Sequence, residues 1–130
     1  MKPSPSTPLQ IYRVQASDGR GPWRPGLSHH WVEDNSEERL LRHPSVLSEF
    51  GTQWLSEIPE GWHSGCACRS IDALLAWFTP LEMQRLESMG YEPVSLEAER
   101  IIRESKDQLV FTRRLPLNSG ALLLPWRIAA

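Results

Sequence analysis

The stretch LQIYRVQ at residues 9–15 sets the fold class of this chain. Its side chains alternate between two faces and its β-branched and aromatic content is high, so it predicts a β-strand. Arg13 shares a face with Leu9 and Ile11. Burying an arginine among apolar side chains is costly unless its charge is paired, and its planar guanidinium fits a phosphate or a carboxylate. Arg13 is therefore a candidate ligand-binding residue. The alternatives are an edge-strand arginine that reaches solvent and one that pairs with an internal acid.

A second polar segment is CACRS at residues 66–70, which closes a predicted buried strand and runs into a predicted helix. Ser70 fits the N-cap of that helix, and the cap alone accounts for a serine there. A helix N-terminus also attracts anions, and Ser70 with Arg69 would face such a ligand.

A third polar segment, ESKDQ at residues 104–108, precedes the strong strand signal LVF at residues 109–111. Glu104 or Gln108 could hydrogen-bond a ribose hydroxyl, and a glutamate could stabilise positive charge on a ribose carbon. The alternative is a polar loop before a strand. An arginine, a serine and a carboxylate or amide on three strands can meet in one cleft and bind an anionic, sugar-containing ligand.

The remaining elements predict an α+β fold: a single small domain of mixed strands with helices. Two helical pieces fall within residues 36–57 and are separated by Pro44. Thr79, with a proline and a glutamate after it, begins a helix with a capping box. A strand follows, then a short helix between residues 98 and 105, then the late strand. Neither a dinucleotide fingerprint nor a phosphate loop is present, and the order lacks a regular βαβ repeat.

Length and composition fit one domain at residues 9–130, preceded by a flexible proline-rich arm at residues 1–8. The net charge of −2 argues against general nucleic-acid binding. No apolar stretch is long enough to span a membrane, and the N-terminus lacks the apolar centre of a signal peptide, so we expect a cytoplasmic protein. Cys66 and Cys68 are two residues apart, which favours reduced thiols over a strained disulfide.

Two other chemistries were weighed for the cysteine segment. The spacing His63-x-x-Cys66-x-Cys68 matches no common zinc pattern, so we predict no metal site. A Cys66 nucleophile with a His63 base is a second reading, and small buried thiols in a core strand are a third. The six tryptophans are spread along the chain, which favours core packing over a single binding platform.

Taken together, these segments resemble the ADP-ribosyltransferase-like fold over about 100 residues. The resemblance implies NAD as substrate, with Tyr12 and Arg13 on the first strand as NAD-binding residues. Arg69 and Ser70 stand where the class has a serine-bearing strand that shapes the nicotinamide pocket, without its usual Ser-Thr-Ser run. Gln108 stands where the class has a catalytic glutamate. Glutamine can hydrogen-bond ribose but carries no charge, so either Glu104 takes that role or the chain binds a nucleotide-like ligand with weak or no transfer.

The resulting hypothesis is a mono-ADP-ribosyltransferase-like protein that modifies a macromolecular target. The alternative is a non-enzymatic, anti-CRISPR-like inhibitor that binds a host protein complex. In that case exposed Trp23, Trp31 and Trp126, with neighbouring arginines such as Arg24, would be the interface candidates. A structural protein of a phage particle is a third class. Small size and a tryptophan-rich body suit a phage or mobile-element protein.

Overall fold

The predicted first strand is present as β1, Leu9–Ala16, in a computed structural model that describes residues 9–23, 27–33 and 36–124. It pairs antiparallel along its full length with β3, Tyr91–Ala98, which also pairs with the short strand β6, Leu122–Leu123. This first sheet has the order β1-β3-β6. The predicted arm at residues 1–8 lies outside the described residues.

A second antiparallel sheet has the order β2-β5-β4. Its strands are β2 at His63–Ala67, β4 at Arg100–Glu104 and β5 at Leu109–Arg113. The central strand, β5, is buried at every position. The short helix predicted between residues 98 and 105 is therefore wrong, because that segment forms β4 by pairing with β5, with a bulge between Ile101 and Arg103.

One pair of backbone hydrogen bonds connects the two sheets. The Tyr12 amide donates to the Cys68 carbonyl at 2.9 Å, and the Cys68 amide donates to the Tyr12 carbonyl at 2.8 Å. This bridge sits one residue beyond the end of β2, so it brings the middle of β1 against the second sheet. The first core cluster includes side chains from both sheets, among them Ile11, Leu96 and Phe111.

Four short α-helices occur in the described residues: α1 at Glu37–Arg42, α2 at Val46–Phe50, α3 at Ile71–Leu75 and α4 at Pro80–Ser88. Turns of 3₁₀-helix cover Ser28–His30 and Gln53–Glu57. The α+β class is confirmed. No helix in this part of the chain has the length and apolar character needed to cross a membrane.

Local sequence signals set the starts of the later helices, as predicted. The Ser70 hydroxyl accepts from the Ala73 amide at 3.0 Å and so caps α3. The Thr79 hydroxyl accepts from the Glu82 amide while the Glu82 carboxylate accepts from the Thr79 amide, which completes the capping box of α4. The helices pack on β1 and β3 through a second core cluster, which includes Trp31 and Leu86.

The prediction that Trp31 belongs to an exposed tryptophan surface is wrong. Its side chain is fully buried in the second core cluster, and its indole N–H donates to the Pro22 carbonyl at 3.3 Å. A tryptophan that can reach one carbonyl gains more from burying its ring than from exposing it. Trp23 stays 45% exposed and contacts the Trp31 ring edge to face. Arg24 and Trp126 lie outside the described residues.

A buried ion pair fixes α1 to the start of α4. The Arg39 guanidinium donates to both Glu82 oxygens, at 2.6 and 2.9 Å, and both side chains are almost completely buried. Burial alone would raise the pKa of Glu82, but hydrogen bonds from Arg39 and from the Glu33 and Thr79 amides hold it below its usual value. Arg39 is the buried residue of α1. The position of α1 therefore depends on this pair.

We expect Glu82→Gln to lower the free energy of unfolding by about 3–5 kcal/mol, because it removes the buried carboxylate charge that faces the Arg39 guanidinium. Glu104→Gln is the matched control. Glu104 accepts two hydrogen bonds from Arg69, but this pair is exposed, and such pairs contribute about 0–1 kcal/mol. Urea denaturation of both variants measures the difference. Equal losses of stability would contradict the assignment.

Candidate functional site

A cavity of about 510 Å³ lies where α1 and α2 meet the two sheets and α3. That volume falls in the range of small-molecule sites, which runs from roughly 300 to 1,000 Å³. Most of its surface is apolar. We call residues 37–50, which carry α1 and α2, the cover. The cavity is lined by residues of the cover and by residues of the body, among them Arg13, Cys66, Cys68, Leu74, Trp77, Phe78 and Gln108.

Arg13 is the charged residue of β1 in the cavity wall, and it is 6% exposed. Its Nη2 donates one long hydrogen bond of 3.4 Å to the Gly19 carbonyl. Its Nε and Nη1 are buried without a hydrogen-bond partner among the described residues. Burial lowers the pKa of the guanidinium, the thiol of Cys66 raises it and the charge of Arg113 lowers it. Arginine nevertheless stays charged in proteins, so a poorly compensated positive charge lies in this wall.

The space for the Arg13 guanidinium is provided by glycines. A Cβ placed on Gly65 of β2 would lie 1.9 Å from Nη1, and one on Gly21 would lie 3.1 Å from Nη2. Any side chain at residue 65 would therefore have to displace the guanidinium. The Phe111 ring of β5 lies 5.8 Å from the guanidinium carbon, within cation–π range. These contacts hold Arg13 between the two sheets while leaving its charge unpaired.

Two other buried arginines show what a structural arginine looks like in this fold. Arg39 pairs with Glu82 and also donates to the Trp77 carbonyl at 2.7 Å. Arg113 donates to backbone carbonyls of Leu115, Glu97, Pro116 and Ser119. Each of these two guanidinium groups thus donates several hydrogen bonds to acceptors within the protein, as is usual for a buried polar group. Arg13 departs from this pattern, and buried groups of that kind call for a functional explanation.

Gln108 also lies in the cavity wall, where it holds the cover in place. Its amide nitrogen donates to the Pro44 carbonyl at 2.8 Å and to the Glu49 carboxylate at 2.9 Å. Both amide hydrogens are thus used within the protein, which leaves the Gln108 carbonyl oxygen as the group that could face a ligand. The structure brings Arg13 and Gln108, two of the predicted site residues, to the same cavity.

The other predicted site residues lie away from the cavity lining. Arg69 and Glu104 form the exposed two-bond ion pair described above, and that pairing holds the pKa of Glu104 below its usual value. Ser70 is exposed and caps α3. Tyr12 is half-buried and packs against the second core cluster. Each of the three predicted polar segments thus reaches the cavity, through Arg13, Cys66 with Cys68, and Gln108, but the side chains of Tyr12, Arg69, Ser70 and Glu104 do not take part in its lining.

The cysteine segment contributes a thiol that is not activated. Burial raises the pKa of Cys68 to about 12, so this thiol stays protonated at neutral pH. It faces the Asp107 carbonyl at 3.7 Å. Since the thiolate is the nucleophilic form, Cys68 is suited to packing in the wall. In the described part of the chain, no cluster of three or more His, Cys, Asp or Glu side chains could hold a metal ion.

Sequence reasoning missed His43, which joins α1 to α2 and lines the cavity. Its ring packs against the Trp77 ring with centroids 4.6 Å apart and the two planes tilted by 37°. Burial lowers the pKa of His43, and the charges of Arg42 and Arg39 lower it further, so the imidazole is neutral at pH 7. The only sequence signal was its place before Pro44, which marks a break in the helix.

The fold and the cavity define a small α+β protein with a largely apolar cavity beside a buried, unpaired arginine. Residues 1–116 match the model of the family described as Bacteriophage T4 Y00F protein, and the chain belongs to this family. No curated protein and no solved structure matches it. The prediction of a phage-type protein is confirmed at the level of the family. The match indicates no ADP-ribosyltransferase family, so that resemblance stays a prediction.

We expect Arg13→Met to raise the free energy of unfolding by about 1 kcal/mol or more, because it replaces a poorly paired buried charge by an apolar chain. Arg113→Met is the matched control at an equally buried arginine. It should lower the free energy of unfolding by more than about 2 kcal/mol, because it leaves several buried carbonyls without donors. Urea denaturation distinguishes the two. A large loss of stability in Arg13→Met would show that Arg13 has a structural role.

Proposed function

We propose that this protein binds an anionic, ribose-containing nucleotide in the cavity, and that NAD is this ligand. On this proposal it is a mono-ADP-ribosyltransferase-like protein that acts on a macromolecular target. The support is the unpaired, buried charge of Arg13 in the wall of a cavity of about 510 Å³. A buried charge is retained against its cost where it serves binding, and a phosphate is the counter-charge that a guanidinium fork fits.

The rest of the cavity suits the uncharged parts of such a ligand. Trp23, Trp77 and Phe78 line it, and their rings offer flat apolar surfaces to a base. No carboxylate is among the described lining residues, so nothing there opposes an anion. The only other charged lining residue described is Arg39, whose charge is already neutralised by Glu82. Arg13 is therefore the group to which we assign the phosphate.

Transfer would require more than binding. The bond between the ribose and nicotinamide breaks, nicotinamide leaves with the electron pair, and the acceptor forms the new bond to the ribose carbon. We assign Gln108, through its carbonyl oxygen, to orienting the ribose, because it lines the cavity. Glu104 could support the cationic ribose only after release from Arg69, since its carboxylate oxygens are engaged there. Binding is thus the better supported half of the proposal.

The first test is calorimetry with NAD on the parent protein and on Arg13→Met. We expect the variant to bind NAD at least about 30-fold more weakly, because removing one partner of a buried charge pair costs 2 kcal/mol or more. Arg20→Ala is the control, since Arg20 is an exposed arginine that pairs with Asp18. Equal NAD affinity in parent and Arg13→Met would reject the assignment. So would an equal loss in Arg20→Ala.

Transfer is measured separately, as incorporation of label from NAD into proteins or nucleic acids of a host extract. Incorporation that is lost in Arg13→Met and in Gln108→Ala would support the transferase. Binding of NAD without incorporation would keep the nucleotide-binding function and reject the enzymatic one. Incorporation that persists in Arg13→Met would reject the assignment of Arg13 as the residue that binds NAD.

A second candidate function, binding to a host protein complex, is favoured by a different observation. Apolar side chains are exposed in and just after the cover: Leu40, Leu41, Leu47 and Leu55 are 57%, 84%, 66% and 55% exposed. Soluble monomers rarely concentrate large apolar side chains in one exposed segment without an interaction to explain them. Trp23, another member of the predicted tryptophan surface, is also 45% exposed.

For this second candidate, we expect Leu41→Asp to reduce co-purification of a host protein at least tenfold, because a charge at the centre of an apolar interface stays unpaired. Leu122→Asp serves as control, because Leu122 is 65% exposed but lies on β6, away from the cover. Co-purification that is insensitive to Leu41→Asp would exclude this surface as the interface.

A further inference from the structure

The second half of the cover, residues 44–50, contributes to the cavity lining but buries little of its own surface. We call these residues the lid. The helix α2 has no buried residue, and neither core cluster of the described residues includes a member of α2. Pro44, Val46 and Leu47 nevertheless line the cavity. A segment with few buried apolar contacts belongs to the least stable part of a fold, where local opening costs little free energy.

One side chain of the body, Gln108, hydrogen-bonds the lid in the part of the chain that the structure describes. Its Nε2 donates to the Pro44 carbonyl at 2.8 Å and to the Glu49 carboxylate at 2.9 Å. Both partners are acceptors, so they fix the orientation of the amide. The bond to Glu49 is charge-assisted and is therefore the stronger of the two. The polar attachment of the lid thus depends on Gln108 and on the carboxylate of Glu49.

The two ends of the lid differ in how firmly they are held. Before the lid, Arg39 fixes α1 to Glu82 and to the Trp77 carbonyl, and His43 packs against the Trp77 ring. After the lid comes Gly51, which has a φ of +69° and where a Cβ would meet no atom within 4 Å. Glycine has the widest choice of backbone conformations, and the space around this one is open. The lid therefore lies between a fixed helix and a residue that can serve as a hinge.

We propose that residues 44–50 open as a lid by breaking the two hydrogen bonds from Gln108 while α1 stays in place, and that this motion gives small molecules access to the cavity. The inference goes beyond nucleotide binding, because it holds whatever ligand the cavity takes. Opening breaks hydrogen bonds at the lid and leaves both core clusters intact, so it does not require the body to unfold.

Cys68 is a natural reporter of this motion. It lines the cavity, it is 4% exposed, and burial raises the pKa of its thiol to about 12. Alkylating reagents react with the thiolate, so Cys68 should react very slowly while the lid is closed. The chain has two cysteines, so Cys66→Ser leaves Cys68 as the single thiol. The rate of labelling in this background then measures access to the cavity.

The experiment follows alkylation of Cys68 by iodoacetamide at neutral pH, by mass spectrometry, in the Cys66→Ser background. Adding Glu49→Ala should raise the labelling rate about tenfold, because a hydrogen bond to a charged group is lost. Glu49→Gln keeps an acceptor oxygen and should label within about threefold of the background rate. Glu38→Ala is the matched control, since Glu38 is an exposed glutamate on the fixed helix α1. It should leave the rate unchanged.

Urea separates opening of the lid from unfolding of the whole chain. Below the unfolding transition, labelling through the lid should depend weakly on urea because little surface becomes exposed, whereas labelling through global unfolding depends on it steeply. Equal labelling rates in the background and in Glu49→Ala would overturn the lid, and so would a steep urea dependence in both.

The outcomes keep the lid apart from the proposed nucleotide-binding function. Labelling that responds to Glu49→Ala in a protein that does not bind NAD would keep the lid and reject nucleotide binding. NAD binding that depends on Arg13, together with labelling that does not respond to Glu49→Ala, would do the reverse.

Discussion

The constraint on which the rest of the structure depends is the buried charge of Arg13. Its guanidinium lies between the two sheets, where the surrounding core is built of Ile11, Leu96 and Phe111. The chain accommodates this charge with glycine at residue 65, whose missing side chain leaves room for Nη1. Among residues 9–23, 27–33 and 36–124, no acid forms an ion pair with it. Arg13 is also one of the residues that line the cavity of about 510 Å³.

Arg39, in contrast, shows that this fold can pair a buried arginine with an acid where the arginine only holds two elements together. Arg39 meets Glu82, whose carboxylate also completes the capping box of α4. One acid thus fixes the start of α4 and the position of α1 together. The cover is then held over the cavity by Arg39 and by the two hydrogen bonds of Gln108. Polar contacts at its ends therefore anchor a segment whose helix α2 has no buried residue.

Sequence reasoning succeeded where the signal was local. The alternation around Arg13 predicted β1, and the spacing after Thr79 predicted the capping box, because both depend on neighbouring residues alone. It failed at β4, since residues 100–104 become a strand only by pairing with β5, which follows them after a turn. The prediction that Trp31 is exposed failed for a similar reason. The exposure of a side chain depends on which elements pack together, and the sequence alone does not show this packing.

The candidate site shows the same division. Arg13 was found because a lone arginine in an apolar strand is visible in the sequence. Arg69 and Glu104 were read as parts of a cleft, but opposite charges at the ends of β2 and β4 meet at the exposed rim of the second sheet. The place of His43 before Pro44 indicated only a break in the helix, because its contact with Trp77 and its position in the cavity wall depend on the fold. The residue type of Arg13 was enough to predict a charge in the core, but the groups that surround this charge could be identified only from the fold.

The two candidate functions involve the same segment, the cover. Leu40 and Leu47 line the cavity and are also more than half exposed. These two leucines could therefore contact either a ligand paired with Arg13 or a protein partner. If binding of the ligand moves the cover, the affinity for the protein partner changes. By thermodynamic linkage, the partner then changes the affinity for the ligand by the same factor. If this protein binds both a nucleotide and a protein partner, the cover is where the two binding events would be coupled.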